Sequence, residues 1–300
     1  MKKKLFLLLS SLALLCFTCF NSVSYVPKPI MEFQVLSDTH ISTDIPKNSF
    51  NLNIALSDIK NNSKNSSGIF INGDAVDYCS KESYDLLNNL ITNQKNLPPI
   101  YYAIGNHEFF NSSSLSSNET ISNFLTNTNT PNVYYDKWIK DYHFIFLGSE
   151  EYPIDNFASL SMTQLLWLEK TLSINSSLNK PIFIFIHQPL KNTVSGSIGN
   201  QGWNGVKQDA QLKNLLMEYP QAIVFTGHTH WKLGSHNTYY KNVCNFLNTS
   251  SVSYLSTDSK PYIYGSEGYY IKVYNDKVLI KGRNFSNHTW IENAEFTITY

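Results

Sequence analysis

Arginine is almost absent from this sequence. Arg283 is the single arginine among 23 basic side chains, and the formal net charge at pH 7 is zero. Binding along a nucleic-acid backbone needs clustered positive charge, so we expect no specific nucleic-acid binding. Arginine is also the side chain that grips phosphate by two parallel hydrogen bonds. If the protein acts on phosphate groups, something other than arginine must neutralise them.

Cysteine and long apolar runs are scarce as well. Two of the four cysteines lie in the first 20 residues, which leaves only Cys79 and Cys244 for the rest of the chain. A framework of several disulfides is therefore excluded, and at most one remains possible. The apolar run 5–20 is shorter than the ~20 residues that a membrane-spanning helix needs.

The N-terminus has the pattern of a secretory signal. Lys2, Lys3 and Lys4 precede the apolar run, and the small residues Ser22 and Ser24 follow it. We expect residues 1–24 to be a signal peptide, with cleavage near Ser24–Tyr25 and secretion of a protein without a membrane span. A retained N-terminal anchor is the alternative.

Short apolar segments alternate with amphipathic ones from residue 31 onward. The expected strands are 32–37, 68–72, 100–104, 143–147, 181–186 and 222–226, and the expected helices are 80–93, 161–173 and 206–219. Several of these strands are apolar throughout, which is typical of strands covered on both faces. Strand–helix alternation predicts an α/β fold.

The last 70 residues have a different pattern. Segments 243–247, 252–255, 267–274, 277–283 and 294–300 are short and β-like, a hairpin turn is expected at Asn275–Asp276, and no helix is expected. We expect this part, about 232–300, to form or complete a second sheet within a single domain, 25–300. Two stretches rich in Asn and Ser, 61–67 and 111–132, are expected to be surface loops.

Metal-ligating residue types follow five of the predicted strands. The motifs are Asp38-Thr-His40, Gly73-Asp74-Ala-Val-Asp77, Gly105-Asn106-His107-Glu108, His187 alone, and Gly227-His228-Thr229-His230. Ligands bind at the carboxyl ends of strands in open α/β sheets, so we expect these side chains to lie together. Carboxylate, imidazole and amide groups at that edge predict a metal site.

Together these motifs resemble those of the calcineurin-like metallophosphoesterase superfamily over residues 32–231. The resemblance implies two packed mixed β-sheets flanked by helices, a four-layer αββα sandwich, with a dinuclear metal site between the sheets. It implies two ligand sets and one bridging carboxylate: Asp38, His40 and His230 for one ion, Asn106, His187 and His228 for the other, and Asp74 between them. His107 is similar to the catalytic histidine of the family, and Asp77 to a carboxylate that orients it.

The implied function is metal-dependent hydrolysis of a phosphomonoester or phosphodiester by attack of a metal-bound hydroxide. The expected substrate is a small molecule. Two divalent ions exceed the charge of two carboxylates and one hydroxide by about one unit, which can replace the missing arginines. Mn, Fe, Zn or Co would each suit such ligands.

Some features separate this chain from particular relatives. Asp77 is followed by Tyr78-Cys79 rather than the Arg-Gly of protein phosphatases. The tyrosine ligand of purple acid phosphatases is replaced by Asp77.

The open alternatives are an extracellular nucleotide or cyclic-nucleotide hydrolase and a non-catalytic binding or scaffold protein on the same fold. Trp203, in a Gly-rich loop after His187, could stack on a nucleobase or simply anchor its loop.

Overall fold

A computed structural model describes residues 27–110, 115–199 and 201–300. The expected signal peptide, 1–24, lies outside the described residues. In the described part, two six-stranded sheets face each other and helices cover the outer face of each. The predicted αββα fold class is therefore confirmed.

The elements follow one another as strands and helices in chain order. The strands are β1 (Met31–Leu36), β2 (Ile69–Asn72), β3 (Ile100–Ala103), β4 (Tyr135–Ile139), β5 (Tyr142–Leu147), β6 (Ile182–Ile186), β7 (Ala222–Thr226), β8 (Tyr239–Lys241), β9 (Asn245–Asn248), β10 (Glu267–Val273), β11 (Lys277–Asn284) and β12 (Thr289–Thr299). The helices are α1 (Pro46–Asn62), α2 (Lys81–Asn93), α3 (Ser117–Thr128), α4 (Met162–Ser173) and α5 (Asp209–Met217). Short 3₁₀ turns lie at His107–Phe109 and Ile154–Asn156.

Both sheets are mixed. The first has the order β12-β11-β10-β1-β2-β3, in which β1, β2 and β3 are parallel and the β10–β12 meander is antiparallel. The second has the order β4-β5-β6-β7-β9-β8, with parallel inner strands and antiparallel edges. The six strands predicted before residue 230 are all present within one residue of their expected bounds.

The sequence of β6 explains how one strand serves two cores. Phe183 and Phe185 enter the aromatic core between the sheets, whereas Ile182, Ile184 and Ile186 pack under the helices of the second sheet. Successive side chains of a strand point to opposite faces, so Phe and Ile alternate with the period of the strand. An apolar strand covered on both sides is the result.

Two predictions in the first part of the chain were wrong. Residues 111–132 are not simply a surface loop, because α3 lies within them, whereas the loop expected at 61–67 is present from residue 63 onward, after α1 ends. The helix expected at 206–219 begins at Asp209, since Val206 instead pairs with Ala158 in an isolated β-bridge. β4 was not expected at all, because its polar residues Asp136 and Lys137 obscure the apolar pattern.

The C-terminal strands are divided between the sheets. β8 and β9 extend the second sheet, whereas β10, β11 and β12 complete the first one beside β1. The expectation that this part forms or completes a second sheet therefore holds for β8 and β9 but not for β10, β11 and β12. Segment 252–255 is not a strand, and no helix occurs after residue 230 among the described residues. The hairpin at Asn275–Asp276 is present between β10 and β11.

Asn72 joins the two sheets at the edge where the motifs lie. It ends β2 in the first sheet, and its side-chain Nδ2 donates to the backbone carbonyls of Ile186 and Phe225 in the second, at 3.2 and 2.9 Å. The carboxyl ends of the parallel strands of both sheets therefore meet. Cys79 and Cys244 are free thiols in separate cores, so they form no disulfide with each other. Among the described residues, no helix is long and apolar enough to cross a membrane.

Candidate metal centre

The strand ends bring the predicted ligands into one buried cage. Asp38 follows β1, Asp74 follows β2, and His187 follows β6. All seven predicted ligands are at most 3% exposed: Asp38, His40, Asp74, Asn106, His187, His228 and His230. Such groups are rarely buried unless they are paired or bind a metal.

One group of possible ligands consists of Asp38, His40 and His230. Nε2 of His230 lies 2.9 Å from Oδ1 of Asp38, and Nε2 of His40 lies 3.1 Å from Nε2 of His230. One ligand atom from each residue lies within 4.8 Å of the others. This is the set that the resemblance assigned to the first ion.

A second group consists of Asp74, His187 and His228, again with ligand atoms within 4.8 Å of one another. Oδ2 of Asp74 lies 3.0 Å from Nε2 of His187 and 3.8 Å from Nε2 of His40. The carboxylate of Asp74 therefore lies between the two groups, which is where a bridging ligand would be needed.

Three imidazoles are held in the same way. Nδ1 of His187 faces the carbonyl oxygen of Asn72 at 2.8 Å, Nδ1 of His230 faces that of Tyr254 at 3.1 Å, and Nδ1 of His40 faces Oδ1 of Asp77 at 3.0 Å. Since a carbonyl oxygen only accepts, Nδ1 carries the proton in the first two rings. Nε2 is then free to coordinate, the arrangement that supports histidine ligands in metal sites.

Two imidazole nitrogens in the cage make no hydrogen bond. They are Nε2 of His228 and Nε2 of His187, both buried, although the latter lies 3.0 Å from Oδ2 of Asp74. A buried polar atom without a partner destabilises the fold by about 1–3 kcal/mol. A bound cation would accept both lone pairs, so the residues present fit a metal of the Mn, Fe, Co or Zn type.

The electrostatics of the cage differ from one histidine to the next. Burial alone would lower the pKa of His40, but hydrogen bonds to Asp38 and Asp77 raise it to about 10. Burial and the charge of His187 lower the pKa of His228 to about 3, so that this ring stays neutral. Cations bound here would compete with protons for ligands such as His40.

His107 lies at the open side of the cage. Its side chain is 25% exposed, and its Nδ1 lies 3.0 Å from the carbonyl oxygen of Asp77 and 3.2 Å from the Asp77 carboxylate. The same Asp77 oxygen contacts His40, so one carboxylate orients both rings. A ring nitrogen of His107 also lies within 4.8 Å of ligand atoms of His40 and Asp74. The predicted catalytic pair is thus directly beside the predicted ligands.

Glu108 is a brace beneath the cage. Its buried carboxylate accepts from the backbone N–H groups of Gly105 at 2.6 Å, Ala75 at 2.7 Å and Asp74 at 3.1 Å. Burial and the negative charge of Asp74 raise the pKa of Glu108 to about 7, against the effect of these donors. Glu108 therefore ties the loop after β2 to the loop after β3. In the latter loop, Oδ1 of Asn106 accepts from Nε2 of Gln188 at 3.5 Å.

The backbone at the cage is strained. Five predicted ligands have positive φ: Asp38 (54°), His40 (43°), Asp74 (50°), His228 (68°) and His230 (57°). Such conformations cost of order 1–3 kcal/mol each for residues other than glycine and cluster at functional sites. Gly105 supports the same geometry, because a methyl group there would overlap the Asp74 carboxylate.

Sequence reasoning missed the contribution of segment 251–256. Hydroxyl Oγ of Ser251 donates to the carbonyl of Asp38 at 3.1 Å, and the ring of Tyr254 lies 4.2 Å from that of His230. Trp203 also lies against the site, 5.1 Å from His228 and edge to face. A tyrosine in a Ser-rich stretch carries no recognisable motif, so only the fold reveals it.

Similarity to one solved structure supports this fold, and two others align with lower scores. The purple acid phosphatase PPD1 from yellow lupin (Lupinus luteus) aligns with a TM-score of 0.63 at 14% identity, over 91% of this chain and 54% of that one. The chain thus spans about half the length of the lupin protein. Phosphopantetheinyl hydrolase from Mycobacterium tuberculosis gives a TM-score of 0.46 at 13% identity, over 75% and 90% of the two chains. Vps29 from Entamoeba histolytica, solved with zinc, gives 0.38 at 12%, over 90% and 99%.

No curated protein matches the chain. The model of the calcineurin-like phosphoesterase family matches residues 31–232, which is more than half of the sequence. The resemblance inferred from the five motifs is confirmed, and the chain belongs to the calcineurin-like phosphoesterase family.

Proposed function

We propose that the protein is an exported hydrolase of phosphoesters that uses two divalent metal ions. The observation that carries this proposal is the common orientation of His40, His187 and His230, each with Nδ1 held from outside and Nε2 directed into the cage. Two carboxylates, Asp38 and Asp74, supply the negative charge that such ions need.

In this proposal each of the two ligand groups described above would hold one ion, with the Asp74 carboxylate lying between the groups, and Asn106 would complete the second set. When bound, the ions supply Lewis acidity that makes water nucleophilic near neutral pH and offsets the charge of the phosphate. That role explains how a chain with one arginine, buried elsewhere against Asp58, could act on phosphate.

His107 would protonate the leaving oxygen. The Asp77 carbonyl fixes the proton of His107 on Nδ1, which leaves Nε2 as the atom that meets the substrate. When Nε2 is also protonated, it can donate to the oxygen that departs from phosphorus, with Asp77 stabilising the positive ring. General acid catalysis of this kind contributes roughly 10²–10⁴ in rate.

The first test is metal analysis of the purified protein, followed by hydrolysis of bis-p-nitrophenyl phosphate and p-nitrophenyl phosphate. These two substrates distinguish diester from monoester preference. We expect His107→Ala to retain both metals and lose about 10²–10⁴ in kcat. Asp74→Ala should lose metal as well, since it removes a ligand shared by both groups.

Two outcomes would contradict the proposal. Absence of bound metal, with none recovered on titration with Mn²⁺ or Zn²⁺, would exclude the metal mechanism. Bound metals without hydrolysis of any phosphoester would favour the binding or scaffold alternative. Full turnover by His107→Ala would leave the metal centre intact and remove only the role given to His107.

Export rests on the N-terminal pattern of Lys2–Lys4 and the apolar run 5–20. We expect the mature protein to begin near Tyr25. Mass spectrometry of protein recovered from the culture medium and from cells measures this directly. An intact N-terminus on protein found only inside cells would refute export.

A further inference from the structure

The segment that carries Tyr254 is attached directly to the metal-centre loop. The N–H of Ser256 donates to the carbonyl of His230 at 2.8 Å, and the N–H of Lys232 donates to the carbonyl of Ser256 at 3.0 Å. The carbonyl of Tyr254 accepts from Nδ1 of His230. Tyr254 is therefore fixed relative to the cage by backbone contacts, independently of its own side chain.

Tyr262 extends this arrangement outward. Its ring lies 4.8 Å from that of Tyr254, with 34° between the planes, and it is 73% exposed. The residues that follow the two tyrosines, Leu255 and Ile263, form an antiparallel bridge with both hydrogen bonds present, at 2.9 and 2.8 Å. A series of rings thus leads from His230 through Tyr254 to a tyrosine at the surface.

The position of Tyr262 is not explained by folding alone. Its φ is 62°, a region that bulky residues adopt only at a cost of about 1–3 kcal/mol. Exposure of most of the ring forgoes the gain from burial as well. Glycine would satisfy this backbone without strain, so the strained tyrosine points to a use for its side chain.

We propose that Tyr262, backed by Tyr254, is a stacking platform for a planar aromatic ring on the substrate. This inference rests on the proposed phosphoesterase function. The phosphate would lie at the metal cage, and Tyr254 separates Tyr262 from His230. The ring must therefore be joined to the phosphate through a spacer, as the base of a nucleotide is joined through its sugar. An aryl phosphate has no spacer and would not reach Tyr262.

The test compares adenosine 5′-monophosphate with ribose 5-phosphate. Both are phosphate esters of the primary 5-hydroxyl of a ribose, so their ratio of kcat/KM reports the contribution of the base. We expect the wild type to prefer the nucleotide. Tyr262→Ala should lower that ratio about 5- to 20-fold, in line with the effect of removing one stacking side chain.

Two variants serve as matched controls. Tyr262→Phe keeps the stacking surface and should keep the ratio within about twofold. Tyr264→Ala removes another exposed tyrosine (60%) from the same loop, one that contacts Lys47 instead, and should not change the ratio. p-Nitrophenyl phosphate should respond to Tyr262→Ala less than the nucleotide does.

Several results would overturn the platform. These are a wild-type ratio near one, an unchanged ratio in Tyr262→Ala, or loss of the preference only in Trp203→Ala. If the metal-loaded protein hydrolyses neither substrate, the proposed function stands where bis-p-nitrophenyl phosphate is hydrolysed and fails where no phosphoester is. The platform is then tested by calorimetric titration with adenosine 5′-monophosphate, where Tyr262→Ala must raise Kd and an unchanged Kd refutes it.

Discussion

A buried carboxyl group outside the metal cage makes stability depend on pH. Glu267 begins β10 and is fully buried. Its Oε2 accepts from the N–H of Leu233 at 2.7 Å and from the hydroxyl of Ser250 at 3.2 Å, but Oε1 has no partner. Burial raises the pKa of Glu267 from 4.5 to about 7, although these donors oppose the shift. We predict that Glu267→Gln changes the pH dependence of unfolding.

The direction follows from proton linkage. Below pH 4.5 the group is protonated in the folded and the unfolded chain, so its ionisation has no effect on stability. As pH rises through about 7, the folded protein must ionise a buried carboxyl group that the unfolded chain ionises readily. A shift of this size corresponds to about 3 kcal/mol at 1.36 kcal/mol per pKa unit. The unfolding free energy of the wild type is therefore undiminished by Glu267 below pH 4.5, and the loss of about 3 kcal/mol is complete by about pH 8.

Urea unfolding of both proteins between pH 4.5 and 8, followed by intrinsic fluorescence, measures this effect. Relative to wild type, Glu267→Gln should gain about 3 kcal/mol in unfolding free energy between the two ends of that range. Titration of the metal ligands affects both proteins alike and cancels in the difference. Glu292→Gln, on the exposed face of β12, controls for loss of one carboxylate. A difference between Glu267→Gln and wild type that stays constant with pH would refute the reasoning.

Two further changes test other parts of the molecule. Gly105→Ala places a methyl group against the Asp74 carboxylate and 2.5 Å from its backbone nitrogen, so we expect reduced metal content by elemental analysis. Gly199→Ala strains its own backbone, whose φ is 53°, but has no atom within 4 Å of the added carbon and should bind metal normally. Arg283→Met leaves the carboxylate of Asp58 buried without its bidentate partner, whose hydrogen bonds are 2.7 and 3.0 Å, and should lower the unfolding free energy by about 3 kcal/mol in urea. A loss below about 1 kcal/mol would mean that the remaining contacts of Asp58 compensate for the arginine.

The strands and their motifs could be predicted because each leaves a local signal. β6 alternates Phe and Ile over five residues, and His187 follows immediately. Parallel strands in neighbouring positions bring their carboxyl ends to one edge, so local order along the chain becomes proximity in space. The grouping of the predicted ligands could be anticipated for this reason, although the assignment of each residue to a role stays a prediction.

One helix was missed although its sequence carries a signal, and one feature of the sheets was missed because it carries none. α3 begins with a capping box in which Ser116 accepts from the N–H of Glu119 and the Glu119 carboxylate accepts from the N–H of Ser116. The abundance of Asn and Ser around it masks this pattern, since the same residues favour turns. The division of the C-terminal strands between two sheets has no local signal, because it depends on which edges remain unpaired.

The orientation of the histidines could not be predicted for a more general reason. The groups that fix His187 and His230 are the backbone carbonyls of Asn72 and Tyr254, and every residue has a carbonyl. A motif can specify the ligand, but the acceptor that selects its tautomer is specified only by the course of the chain. Tyr254 lies beyond residue 232, where the match to the family model ends. The C-terminal part therefore completes the support of the candidate metal centre and also supplies the aromatic rings through which we infer that substrates are distinguished.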